Sequence, residues 1–95
     1  MGKKRSNPEQ APVIFKKLNG KVVAFLLRHP AQYGNIMTFS DAGYVERSMR
    51  DYFESENVSP CEYASLLKTM QALGINVLVR NRMTYVDRMY SWKVV

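Results

Sequence analysis

Between Ser59 and Gly74 the apolar residues Tyr63, Leu66, Leu67, Met70 and Leu73 recur at spacings of three and four, which places them on one stripe of a helix. Ser59 can cap the free N–H groups of the first turn, Glu62 three residues on completes a capping box, and Pro60 occupies the first helical position, where its missing N–H costs nothing. Gly74 supplies the stop. The opposite face holds Cys61, Ala64, Ser65, Lys68 and Ala72, flanked by Glu62 and Thr69. A second amphipathic run, capped by Ser40 or Asp41 and ending near Glu54, turns Val45, Met49, Tyr52 and Phe53 inward, with Tyr44 at the margin.

Elsewhere the pattern predicts strands. Ile36–Phe39 follows a Gly34-Asn35 turn signal and is long enough for one short strand. In 75–80, Ile75, Val77 and Val79 alternate with other residues, and in 88–95 Tyr90, Trp92 and Val94 do the same, which fits two antiparallel strands joined through 81–87. Residues 12–29 admit two readings. Asn19-Gly20 between apolar runs signals a hairpin of strands Val13–Leu18 and Lys21–Leu27, whereas Asn19 as a cap and Pro30 as a stop frame a helix over 20–29. The helix is the reading preferred here, with Val22, Val23, Phe25 and Leu26 on its inner surface.

The order helix 20–29, strand 36–39, helix 41–54, helix 59–73 and strands 75–80 and 88–95 resembles the winged helix-turn-helix superfamily in pattern and spacing. The resemblance implies an α+β domain of three helices with a C-terminal two-stranded β-hairpin wing over 12–95, preceded by a flexible basic arm over 1–11. It further implies a small double-stranded DNA-binding protein, a transcriptional regulator. Helix 59–73 would lie in the major groove through Ser59, Cys61, Ser65, Lys68 and Thr69, and the 80–88 wing would hold the backbone through Arg80, Arg82 and Arg88. Lys68 is the one cation on that helix face, and Glu62 opposes phosphate. Homodimerisation on paired half-sites also follows from the resemblance, although no dedicated dimer helix is visible.

Charge sharpens this picture. The chain of 95 residues carries a net charge of +6. Residues 1–40 hold seven Lys and Arg against one acid, 41–62 two against six, and 63–95 five against one, so the basic charge sits at both ends. A polyanionic partner is expected, with Lys3, Lys4 and Arg5 of the arm available for phosphates or a minor groove; a solvated tail is the plainer account of the same residues. The acidic middle suggests an alternative, a protein-interaction module such as a phage- or plasmid-encoded modulator of a host protein, docking through Glu46, Asp51 and Glu54. Ion pairs of Glu46 with Arg50 and of Arg47 with Asp51 on a solvated helix face explain those charges without a partner. An RNA- or ribosome-binding winged helix is the third reading.

Enzymatic chemistry is not expected. One cysteine and one histidine make neither a zinc set nor a recognisable nucleophile–base pair, and no cofactor or metal is implied. Cys61 lies in a first helical turn, and a lone surface thiol without a paired base is usually inert. His29 beside Pro30 reads as a helix-end residue, and Tyr90 and Trp92 as core rather than base-stacking platforms. The longest apolar run, Val22–Leu27, is too short to span a bilayer, so a cytoplasmic or nucleoid-associated protein is expected.

Overall fold

Asn19 and Gly20 both adopt positive φ, 54° and 82°, so the chain reverses there in a two-residue turn of the kind that matches the twist of an antiparallel pair. In the computed structural model, which describes residues 10–87 and 89, the turn joins β1 (Ala11–Leu18) to β2 (Lys21–Leu26). The register runs unbroken from Val13 opposite Leu26 to Leu18 opposite Lys21. The helix expected over 20–29 is therefore a strand, and the hairpin reading of 12–29 is the one observed.

Two more strands extend the meander. β3 (Asn35–Ser40) pairs antiparallel with β2, and β4 (Gly43–Ser48) with β3. The helix expected over 41–54 is thus strand in its first half. Gly43, at φ 89°, turns the chain directly after Asp41 and Ala42, and Tyr44 and Val45 favour an extended backbone. Ser48, rather than Ser40 or Asp41, is the cap: its Oγ accepts from the Arg50 N–H at 3.1 Å and starts the short helix α1 (Met49–Glu54).

The far edge of β1 is shared by two short strands. β5 (Glu56–Asn57) pairs antiparallel with Lys16 and Lys17, and β6 (Val77–Val79) pairs parallel with Ala11–Val13. Between them runs α2 (Pro60–Ala72), the helix that the spacing of apolar residues predicts. The result is one mixed sheet in the order β4-β3-β2-β1-β5, with β6 also on β1.

Each face of this sheet has its own core. Ile14, Leu18, Val23, Phe25, Leu27 and Ile36 pack with Met49 and Tyr52 of α1, joined by Met83. Val13, Phe15, Ala24, Leu26 and Phe39 pack with Leu66 and Met70 of α2. Burial on both faces removes the alternation of apolar and polar residues that marks a half-exposed strand, which is why the run in β2 also reads as a helix. Aromatic contacts tie the layers: Phe15 stacks on Tyr63 at 4.3 Å, and Phe25 meets Tyr52 edge to face at 5.2 Å.

The winged-helix architecture is overturned by this topology. Three helices around a C-terminal hairpin require 75–80 to pair with 88–95, yet β6 pairs in parallel with β1, and residues 85–87 are helical. The strand expected over 88–95 falls on residues that, apart from Met89, lie outside those described.

Candidate nucleic-acid interface

α2 lies across one sheet face with its outer side in solvent. Its first turn is organised by Glu62, whose carboxylate accepts from the Ser59 N–H at 3.0 Å and from the Ser59 hydroxyl at 3.3 Å. The same carboxylate accepts from Lys17 Nζ at 2.7 Å. That bond to Lys17, with the Ser59 N–H next, lowers the Glu62 carboxyl to about 2, and Glu62 in turn raises Lys17. The acid that the sequence sets against phosphate is thus matched by a lysine from β1.

Ser59, Cys61, Ser65, Lys68 and Thr69 are all exposed, as the helical wheel predicts, and share this helix. The Thr69 hydroxyl donates to the Ser65 carbonyl at 3.1 Å, so it is already engaged with the backbone. Gln71, also exposed and one turn beyond Lys68, is a residue of this face that the sequence reading misses. Its signal along the chain is a bidentate-capable amide at i+3 from the only cation of the helix.

The proposed wing is taken apart. Asp87 is fully buried and is held by Arg80 Nη2 at 3.0 Å, by Arg28 Nε at 3.2 Å, and by the Thr84 N–H and hydroxyl at 3.1 and 2.9 Å. Burial pushes its carboxyl up, but the Thr84 bonds and the two arginines outweigh this and hold it below the usual range. Arg80 is therefore an internal ligand. Arg82 is exposed and makes no ion pair among the described residues, while Arg88, Lys3, Lys4 and Arg5 lie outside them.

The alternative acidic surface is also internally matched. Glu46 accepts from Asn35 Nδ2 at 2.7 Å, Asp51 lies 4.0 Å from Arg47, and Glu54 lies 3.5 Å from Arg50. The expected pair of Arg47 with Asp51 forms, whereas Glu46 turns to Asn35 instead of Arg50. Lys16 sits 4.8 Å over the Tyr52 ring. What remains with neither an ion pair nor a ring contact among the described residues is Lys21, Lys68 and Arg82. Nine Lys and Arg stand against seven Asp and Glu in this part of the chain, a surplus of two against six for the whole.

Beside the start of α2 a cleft of about 300 Å³ opens where β5 pairing ends and β6 pairing begins, lined by Phe15, Asn57, Tyr63 and Asn81 among others. Among the described residues no charged side chain lines it. Among the described residues no group of three or more metal-ligating side chains is found, and no helix is long and apolar enough to cross a membrane. No protein-family model matches the chain, and no curated protein or solved structure matches it.

Proposed function

We propose that the protein is a small DNA-binding protein, regulatory in role, that holds the phosphate backbone through cations left over after internal pairing. The observation that carries this reading is the outer face of α2. Lys68 stands there, among the described residues without an acidic partner, beside the short side chains Ala64, Ser65 and Cys61, and the only acid of the first turn is matched by Lys17. Short side chains let a helix approach a duplex closely, and each phosphate contact releases counterions. Arg82 and the cations of the chain ends add to the same surplus, whereas Arg80 has no part in it.

A fluorescence-anisotropy titration against a random-sequence duplex at two salt concentrations tests this. Binding is expected to weaken steeply with salt, and Lys68→Ala combined with Arg82→Ala to flatten the slope by about 1 for each phosphate that is no longer held. Folded protein that leaves the duplex unbound at low salt overturns the reading. Competition with structured RNA separates DNA from RNA as the target.

A further inference from the structure

The sheet is treated unequally at its two edges. Beyond β1 the chain supplies β5 and β6, whereas beyond β4 no strand is laid down among the described residues. The outward groups of β4 can be read from the registers. The Leu27 N–H donates to the Pro12 carbonyl at 3.0 Å, so the even positions of β1 turn their amides toward β2. The odd positions turn the other way, as the bonds from Ala11 N–H to Asn76 and from Arg80 N–H to the Val13 carbonyl require. With registers unbroken through β2, β3 and β4, Val45 and Arg47 face β3, and the backbone groups of Tyr44, Glu46 and Ser48 face outward.

We propose that β4 pairs antiparallel with β4 of a second copy of this chain, about a two-fold axis through Val45, so that two sheets become one. A two-fold axis normal to the sheet keeps each face continuous only when a residue meets one of the same parity, which restricts the pairing to registers centred on a residue. Centring on Glu46 sets two carboxylates directly opposite, and centring on Arg47 sets two guanidinium groups opposite; both are unfavourable. Centring on Val45 joins Val45 to its copy and makes Tyr44 and Glu46 reciprocal amide partners, with the half-exposed Tyr44 ring laid along the Glu46 side chain.

Charge complementarity selects the same occupant. Among the described residues Arg47 Nε is buried without a hydrogen-bond partner, and Asp41, in the turn at the other end of β4, is exposed and makes no ion pair. In the Val45-centred register Arg47 lies opposite Gly43 of the copy, next to the turn that carries Asp41. Each chain thereby offers the Arg47 guanidinium at one end of β4, held only at 4.0 Å by Asp51 and with Nε unmatched, and an anion at the other, and the two-fold brings these ends together twice.

Sedimentation velocity over a concentration series reads the outcome. The native chain is expected to rise from its 11.0 kDa mass toward twice that value. Val45→Lys and Val45→Glu, each placing like charges at the axis, should each remain at the single-chain mass, and an equimolar mixture of the two should associate again. Tyr44→Pro removes one outward N–H without touching the β3 ladder and should also abolish association, with circular dichroism confirming that it is folded; it decides the matter if both Val45 variants unfold. A native chain that stays at single-chain mass throughout overturns the proposal, as do single variants that associate like the native chain. A mixture of folded Val45 variants that fails to associate overturns the register.

Discussion

Arg80 donates from Nη2 to Asp87 Oδ2 at 3.0 Å, and this contact converts what reads as the base of a basic wing into the anchor of a helical turn. Thr84 caps that turn: its hydroxyl accepts from the Asp87 N–H at 3.2 Å while Asp87 accepts from the Thr84 N–H. Arg28, just beyond β2, closes the set from the other side. Through one buried carboxylate, the chain following β6 is fastened both to its own strand and to the sheet's central hairpin.

Replacing Asp87 should therefore loosen the segment after β6 before it affects the sheet. Asp87→Asn leaves two guanidinium groups and the Thr84 donors short of an acceptor, and since both arginines are partly solvated the expected loss is about 1–3 kcal/mol. The native carboxyl titrates below its unfolded value, so its contribution is complete above the unfolded pKa and disappears as the pH falls through the folded one. Denaturant midpoints across the acid range should fall for the native chain, with a weaker dependence for Asp87→Asn. Parallel curves refute the assignment.

Glu62 gives a second acid-sensitive contact with a different readout. Its carboxyl, held down to about 2 by Lys17 and Ser59, keeps its bond at any pH above the acid limit and gives it up only as the pH drops toward that value. Glu62→Gln removes an anion from the first turn of α2 and frees Lys17 on the adjoining strand. If α2 faces phosphate, the variant should bind duplex DNA more tightly and with a salt slope steeper by up to about 1. An unchanged slope would place the DNA contact away from α2.

How much of this molecule is legible along the chain depends on how each element is buried. α2 has one covered face and a capping box, so periodicity and local chemistry agree, and its limits follow to within a residue. β1 and β2 are covered on both faces, and without alternation the Asn19-Gly20 turn is the only decisive signal. β4 misleads for another reason: Tyr44, Val45, Met49, Tyr52 and Phe53 fit a helical stripe across a boundary at Ser48 that only the cap geometry reveals. Arg80 cannot be placed from sequence, because its partner Asp87 and the third member Arg28 meet only through the sheet. The edge that β4 leaves open among the described residues is a property of strand order and has no signal along the chain.

The hairpin turn offers a stability test free of packing effects. A Cβ added at Gly20 would meet nothing within 4 Å, so Gly20→Ala is penalised only through the positive φ of 82°. That conformation costs an L-residue roughly 1–2 kcal/mol, and urea denaturation should show a loss of that size with an unchanged m-value. A negligible loss would mean the turn relaxes to another type without disturbing the β1–β2 register.

Burial and periodicity make different claims about α2, and two substitutions separate them. Met70 and Leu73 belong to the same apolar stripe, yet Met70 is 0% exposed beneath Val13, Phe15 and Leu26 of the sheet's second core, whereas Leu73 is 63% exposed at the helix end. Met70→Ala removes buried methylene and thioether atoms and leaves a cavity, a loss of about 2–5 kcal/mol. Leu73→Ala removes side-chain surface already in water and should stay within about 0.5 kcal/mol of the native chain. Chemical denaturation of the two variants under one condition reads the contrast directly. Equal losses would mean that Leu73 is covered in solution, and a small loss at Met70 would mean that α2 does not sit on this sheet face as described.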